Sequence, residues 1–240
     1  MASVLTPFQL EIGLYLTLVV IAVKFSIAAF FGRRVALQAK GQTKRRLTFL
    51  GAAFLLVLCL GISRSIYCYY DYFLTKFDPE LLWGKPQVYF WQAATCIGGY
   101  SSAFLLFVLE RDIFRFKTRL IPTGLTVATA TVQLFYPISS PTDFQFVSTI
   151  GLVGTLSMLI AIITFIYLAV KSTGLMRKVC VALTVGILVY AVAGMTMSEN
   201  LLSALDAAIP GIRTIVIVAV PIIKIIAFTI IAWGAVHFQL

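Results

Sequence analysis

Seven long apolar stretches divide this chain, and their length is the strongest constraint on its fold. They cover residues 8–31, 47–70, 88–109, 118–137, 144–170, 177–198 and 213–236. Each has about the 20 residues that an α-helix needs to cross a hydrocarbon core roughly 30 Å thick. Strands of a membrane barrel would instead alternate polar and apolar residues over about ten positions. The sequence therefore predicts an all-α fold, a polytopic membrane protein built as a bundle of seven transmembrane helices.

The composition agrees with this architecture and limits what else the chain can hold. Hydrophobic residues make up 60% of the 240 residues and charged residues only 12%, against about 25% charged residues in soluble domains. The longest loops between the stretches are 32–46 and 71–87. We therefore predict a single transmembrane domain over residues 1–240, with no separate soluble module.

The net charge of +10 is distributed unevenly between the two sides of the predicted membrane. Segments 32–46, 110–119 and 171–178 share one side and contain two acids, Glu110 and Asp112. The basic residues of these segments are Arg33, Arg34, Lys40, Lys44, Arg45, Arg46, Arg111, Arg115, Lys117, Arg119, Lys171, Arg177 and Lys178. The other side carries more acids than bases, among them Glu199 and Asp206. Basic loops stay in the cytoplasm, so we predict a multi-pass protein of the cell membrane with its N-terminus outside and its C-terminus in the cytoplasm.

Lys224 is the most informative charged residue because it lies in the middle of the last stretch. At 1.5 Å per residue it is about 17 Å from either end, and no Asp or Glu lies at that depth in any stretch. Such a lysine must be neutral, paired with polar groups or bound to an anion. Two interpretations stay open: a lysine satisfied inside the bundle, or a ligand or transport site.

Polar side chains at helical spacing provide further candidates for a ligand site. Thr123, Thr126, Thr129, Gln133 and Tyr136 share one face of the fourth stretch. The predicted ligand-binding residues are Lys224, Tyr190, Tyr100, Gln133, Thr129, Thr126 and Gln92. The alternative is that these hydroxyl and amide groups only join the third and fourth helices by hydrogen bonds.

Charged and aromatic residues near the outer side form a second candidate site. The predicted outer vestibule consists of Arg64, Tyr67, Tyr70, Trp91 and Glu11. Arg64 is expected to extend to the interface or to pair with Asp71, two helical turns further along. An interfacial belt of aromatic residues is the alternative. Lys24, near the end of the first stretch, is expected to extend its ammonium to the inner interface.

The inner side holds a third candidate site, a cytoplasmic switch or docking surface made of Glu110, Arg111 and Arg177. Glu110 is expected to pair with Lys117 or Arg177. A plain alternative is that the basic loops only set the topology and attract anionic lipid.

The sequence contains few of the residue patterns that catalytic or metal sites need. His237 is its only histidine, and its four cysteines follow no metal-ligand spacing. We therefore predict no catalytic residues, no metal site and no nucleic-acid binding. The implied partners are the lipid bilayer, a small-molecule or lipid ligand and a cytoplasmic protein.

A mid-membrane lysine on the seventh of seven helices, with the N-terminus outside, resembles the rhodopsins. That resemblance implies retinal bound to Lys224 as a Schiff base, although Val220 stands where microbial rhodopsins have an Asp. The triplet Glu110-Arg111-Asp112 resembles the acidic-Arg-Tyr triplet of G-protein-coupled receptors, with Asp in place of Tyr. In those receptors the arginine locks the inactive bundle.

Together these features predict a receptor- or sensor-like membrane protein. It would bind a small apolar or weakly anionic molecule in the bundle and signal through a separate cytoplasmic partner, without a cofactor. The alternative is a small transporter or channel that uses Lys224 as a substrate or proton site. Lesser alternatives are a structural subunit of a membrane complex and a retinal-binding protein.

Overall fold

The structure is a computed structural model that describes residues 7–38, 44–78, 80–196, 201, 205, 207–209 and 211–238. Within this part of the chain the regular elements are helical. They are α1 Pro7–Gln38, α2 Lys44–Tyr69, a π-helical turn Tyr70–Leu74, α3 Gln87–Asp112, α4 Ile121–Phe135, α5 Pro141–Ser157, α6 Leu159–Lys171, α7 Gly174–Met195 and α8 Ile212–His237. Three residues used in the charge argument, Lys40, Glu199 and Asp206, lie outside the described residues.

Six helices of the described chain are long and apolar enough to cross a membrane. They are Pro7–Leu37, Phe49–Leu74, Gln87–Asp112, Pro141–Lys171, Gly174–Met195 and Ile215–His237. The all-helical prediction is therefore confirmed, and the length and composition of these helices indicate a multi-pass membrane protein. Helices α5 and α6 together make one of the six, with a turn at Met158 between them.

The fourth predicted stretch, 118–137, forms the shorter helix α4. Its 15 residues span about 22 Å at 1.5 Å per residue. Two prolines explain both of its ends. Pro122 occupies the first turn, where a missing N–H costs nothing. Pro137 forces the residue before it into extended backbone, and Tyr136 accordingly has φ −66° and ψ 126°.

The helices are organised in two compact units. The terminal unit contains Met1–Val23 and Phe165–Phe238, and in it α7 packs against α8. The central unit contains Lys24–Thr164, where α2 packs on α3, α3 on α4, and α4 on α5. The predicted single-domain organisation stays a prediction.

Glycines bring the backbones of α7 and α8 close together in the terminal unit. A Cβ atom built on Gly186 would lie 2.7 Å from Ile231 Cγ1 and 3.2 Å from the Ala227 carbonyl oxygen. A Cβ on Gly234 would lie 2.7 Å from Leu183 Cγ. Because lipid tails are as apolar as side chains, membrane helices associate largely through such close van der Waals packing.

Glycines also allow α3, α4 and α5 of the central unit to pack closely. A Cβ on Gly99 would approach Ala130 Cβ to 2.7 Å. Added Cβ atoms on Gly151 and Gly154 would overlap the side chains of Gln133 and Thr129, respectively. The polar face of α4 is thus in direct contact with the small residues of α5.

The α7–α8 interface can be tested with a matched pair of glycines in α7. Gly186→Ala is expected to lower the free energy of unfolding by about 1–3 kcal/mol, because the added methyl group overpacks the interface. At Gly194, an added Cβ meets no atom within 4 Å, and alanine favours a helix over glycine by up to about 1 kcal/mol. Gly194→Ala is therefore expected to be neutral or stabilising. Reversible unfolding in mixed micelles, followed by circular dichroism, measures both variants, and equal destabilisation would contradict this interface.

Candidate functional site

Two buried glutamines join three helices of the central unit. Gln92 Nε2 on α3 donates to the carbonyl oxygens of Gln133 (3.1 Å) and Tyr136 (2.9 Å) at the end of α4. Within α4, the Gln133 carbonyl would normally accept from residue 137, but Pro137 has no N–H. Gln92 supplies the missing donor. Gln133 Nε2 in turn donates to the Val147 carbonyl oxygen on α5 (3.2 Å).

Thr126 and Thr129 of the predicted stripe are also buried, and their hydroxyl groups bond within α4. Thr126 Oγ1 donates to the Pro122 carbonyl oxygen (2.9 Å) and Thr129 Oγ1 to the Thr126 carbonyl oxygen (3.0 Å). These two threonines therefore face the interior, and their hydroxyl groups are engaged with carbonyls of their own helix. The contacts of Gln92 and Gln133, which cross between helices, match the interpretation in which polar groups join helices. The ligand-lining role of Gln92, Thr126, Thr129 and Gln133 stays a prediction.

Tyr100 lies apart from this buried network. Its side chain is 38% exposed, and its hydroxyl group bonds to Thr131 Oγ1 at 2.8 Å. Both residues belong to the central unit, whereas Lys224 and Tyr190 belong to the terminal unit. Thr131 is absent from the predicted stripe because it lies on a different face of α4.

Lys224 lies near the middle of α8, about 18–20 Å from either helix end at 1.5 Å per residue. The residues one turn before and after it on the same face, Val220 and Phe228, are buried. Lys224 itself is partly exposed. The buried face of α8 is thus interrupted at the lysine. Lys224 thus lies in the middle of an apolar helix, as its place in the last apolar stretch predicts.

Tyr190 lies on α7, the helix that packs against α8, and its side chain contacts α8 one turn after Lys224. Its ring meets Phe228 edge-on, with the ring centroids 4.7 Å apart and the planes at 71°. Phe228 follows Lys224 by one helical turn. The structure therefore places two of the predicted ligand residues, Lys224 and Tyr190, around the same α7–α8 interface, with Phe228 as a contact that was not predicted.

Lys24 behaves differently from Lys224, and its expected extension to the interface is wrong. Its side chain is 3% exposed, and its Nζ donates to the Leu60 carbonyl oxygen on α2 at 3.2 Å. The physical reason is that an enclosed ammonium needs a hydrogen-bond acceptor, and a backbone carbonyl of the neighbouring helix provides one.

The predicted outer vestibule residues of α2 and α3 are tied together by hydrogen bonds. Arg64 Nη1 lies 3.3 Å from Asp71 Oδ2, which confirms the predicted pair. The Tyr67 hydroxyl bonds to Thr95 Oγ1, and Thr95 Oγ1 donates to the Trp91 carbonyl oxygen (2.8 Å). These contacts gather the beginning of α3 and the end of α2 into one polar and aromatic cluster.

Tyr70 and Trp91 also have packing roles in the central unit. Tyr70 is almost fully buried, and its hydroxyl group donates to the Leu82 carbonyl oxygen at 2.6 Å. The Trp91 ring lies 4.9 Å from the Phe144 ring. Glu11 is exposed on α1 in the terminal unit. A vestibule that includes all five predicted residues stays a prediction.

Glu110 is completely buried and fastens the end of α3 to the beginning of α4. Its carboxylate accepts a hydrogen bond from the Thr123 backbone N–H (3.2 Å) and further ones from the hydroxyl groups of Thr118 and Thr123. Thr123 lies in the first turn of α4, where N–H groups have no acceptor within the helix and a negative charge is favoured. Glu110 thus acts as a cap provided by a neighbouring helix.

This arrangement corrects the expected partner of Glu110 within the central unit. Threonines, rather than Lys117, contact the carboxylate. The reason is the conformation of the segment between α3 and α4, in which Arg115, Phe116, Arg119 and Leu120 all have φ between 49° and 61°. Such left-handed backbone favours glycine, and this segment has none, so the sequence contains no signal for it.

Of the other two residues of the predicted switch, Arg111 is partly exposed and Arg177 is exposed. Arg111 Nε lies 2.8 Å from Oδ1 of the adjacent Asp112. Arg177 lies in the first turns of α7, in the terminal unit. A switch or docking surface that joins Glu110, Arg111 and Arg177 stays a prediction.

Replacing Glu110 tests its role as a cap. Glu110→Ala is expected to lower the free energy of unfolding by about 2–3 kcal/mol, because buried donors of Thr118 and Thr123 lose their charged acceptor. Asp112→Ala removes the same charge from an ion pair of adjacent, partly exposed side chains and is expected to cost less than about 1 kcal/mol. Unfolding in mixed micelles measures both. An equal loss in the two variants would show that Glu110 acts only through its charge.

Comparison with known proteins adds no further constraint on the site. No protein-family model, curated protein or solved structure matches this chain. Among the described residues, no group of three His, Cys, Asp or Glu side chains is placed to hold a metal ion. Function is therefore inferred from the arrangement of the polar side chains themselves.

Proposed function

We propose that this chain is a receptor- or sensor-like protein of the cell membrane. It crosses the bilayer seven times, with α4 as the shortest crossing, and has its N-terminus outside and its C-terminus in the cytoplasm. It binds a small apolar or weakly anionic molecule beside Lys224 and signals through a separate cytoplasmic partner. The observation that carries this proposal is the difference between its two mid-helix lysines.

Lys24 and Lys224 both lie deep within apolar helices, but only Lys224 is accessible. Lys24 is enclosed and donates to a backbone carbonyl of α2. Lys224 is partly exposed although Val220 and Phe228, one turn away on the same face, are buried. Ionisable residues within membrane helices are costly and commonly mark binding or transport sites. A partly exposed lysine there is a suitable partner for the carboxylate or other weak anion of a ligand.

The apolar residues around Lys224 indicate that the rest of the ligand is apolar. Val220 and Phe228 flank it on α8, and the Tyr190 ring packs edge-on against Phe228. Small-molecule sites are mostly apolar and aromatic, with a few polar groups that fix orientation. An apolar body would pack on the exposed apolar side chains beside the lysine, such as Ile223 and Ile226, while an acidic end pairs with Lys224. The ligand class is therefore an amphipathic carboxylate.

The basic segment between α3 and α4 is the part of the chain that contacts the cytoplasmic partner. Glu110 fastens the beginning of α4 to α3, and the connecting residues hold four left-handed conformations. Such strained backbone persists only where its surroundings determine it. A shift at the beginning of α4 would therefore change how Arg115, Lys117 and Arg119 are presented to a partner.

Photocrosslinking with a diazirine analogue of oleate tests the proposed site. The full chain in lipid nanodiscs is irradiated with the probe, and labelled peptides are mapped by mass spectrometry. We expect labels on α8 near Lys224 and on α7 near Tyr190. Lys224→Met is expected to lower this labelling at least about tenfold, which corresponds to the loss of one charge-assisted hydrogen bond.

Lys24→Met is the matched control, because it removes the same charge from the interior of another apolar helix. It is expected to leave the labelling of α7 and α8 unchanged. Labelling that persists in Lys224→Met would overturn the proposed site. Proteoliposomes loaded with a pH-sensitive dye distinguish the transporter alternative: proton flux that disappears in Lys224→Met and persists in Lys24→Met would favour a proton site over a receptor.

A further inference from the structure

An apolar groove lies between α6 and α7 in the terminal unit and has one charged residue in its lining. Its volume is about 210 Å³. Ile166 and Val170 of α6 face Val181 and Val185 of α7 across it. Thr184 also lines the groove, but its hydroxyl group donates to the Cys180 carbonyl oxygen of its own helix (2.9 Å). The groove therefore offers apolar surface and the guanidinium of Arg177.

Arg177 gives the groove a positive end. Its side chain is exposed, and within the described residues it has no ion pair or hydrogen bond. Lys171 and Lys178 lie at the same end of α6 and α7, and segment 171–178 contains no acid. The lining thus combines apolar side chains, suited to a hydrocarbon tail, with a cationic rim suited to a phosphate group.

The size and shape of the groove favour a chain over a compact molecule. Ligand pockets for drug-sized molecules are commonly about 300–1,000 Å³, larger than this groove. Eight residues separate Arg177 from Val185 on α7, which corresponds to about 12 Å along the helix. The part of an acyl chain nearest the headgroup can extend over that length, with the headgroup at the basic end.

We propose that this groove binds one acyl chain of an anionic phospholipid and that Arg177 binds the lipid phosphate. Basic residues beside membrane helices commonly recognise anionic headgroups in this way. The site is separate from the one proposed at Lys224 and does not depend on it. One anionic lipid molecule therefore stays bound to the protein when it is purified in detergent.

The test measures retention of dioleoyl phosphatidylglycerol by the detergent-purified full chain, using native mass spectrometry during titration. Phosphatidylglycerol is expected to bind more tightly than dioleoyl phosphatidylcholine. Arg177→Gln is expected to weaken its binding about fivefold, the value of one basic residue near an anionic lipid. Val185→Trp, which fills the groove, is expected to reduce retention to the phosphatidylcholine level.

Two controls separate this site from general attraction between charges. Arg33→Gln removes an exposed basic residue of α1 outside the groove and is expected to leave the affinity unchanged. Glycerophosphoglycerol, the headgroup without acyl chains, is expected not to displace the bound lipid. Equal weakening by Arg33→Gln and Arg177→Gln, or displacement by the headgroup alone, would overturn the proposal. Arg177→Gln alters only an exposed side chain, so the test does not depend on the folding of Val185→Trp.

Discussion

The structure depends above all on one constraint: a polar group in an apolar surrounding must have a hydrogen-bond partner, because leaving it without one costs several kcal/mol. The central unit meets this constraint across helices. Gln92 donates to the Gln133 carbonyl that Pro137 leaves without its usual donor. Glu110 accepts from an N–H group in the first turn of α4. Helix α4 is short, and both of its ends are completed by side chains of α3.

The same constraint separates structural polar residues from candidate binding residues. Lys24 and the two buried glutamines all donate to backbone carbonyls of neighbouring helices. Such groups contribute to helix packing and are enclosed by it. Lys224 differs in its exposure, because it is partly exposed in the middle of α8. This difference, rather than the presence of a buried charge alone, directs the functional proposal to the terminal unit.

Much of the fold could be predicted because hydropathy and helical periodicity are local properties of a sequence. Six of the apolar stretches form helices long enough to cross a membrane, and the polar stripe of α4 faces inward as its spacing indicates. The Arg64–Asp71 pair followed from a separation of two helical turns. These features need no knowledge of how distant parts of the chain meet.

The features that could not be predicted depend on contacts between helices or on irregular backbone. Lys24 is enclosed through a contact with α2, to the Leu60 carbonyl oxygen, that no local pattern of the sequence indicates. Thr118 and Thr123 reach Glu110 only through a segment with four left-handed residues and no glycine. Tyr190 and Phe228 meet because Gly186 and Gly234 allow α7 and α8 to approach closely.

The central claim is that Lys224 is accessible and that Lys24 is enclosed. Its most direct test is the rate at which phenyl isothiocyanate, an apolar reagent that attacks amines, modifies each lysine of the folded chain in nanodiscs. Peptide mass spectrometry gives the two rates separately, and the unfolded chain provides the reference rate. We expect Lys224 to be modified much faster than Lys24, which should react only when the protein unfolds. Modification of Lys24 at the same rate as Lys224, or faster, would contradict this account.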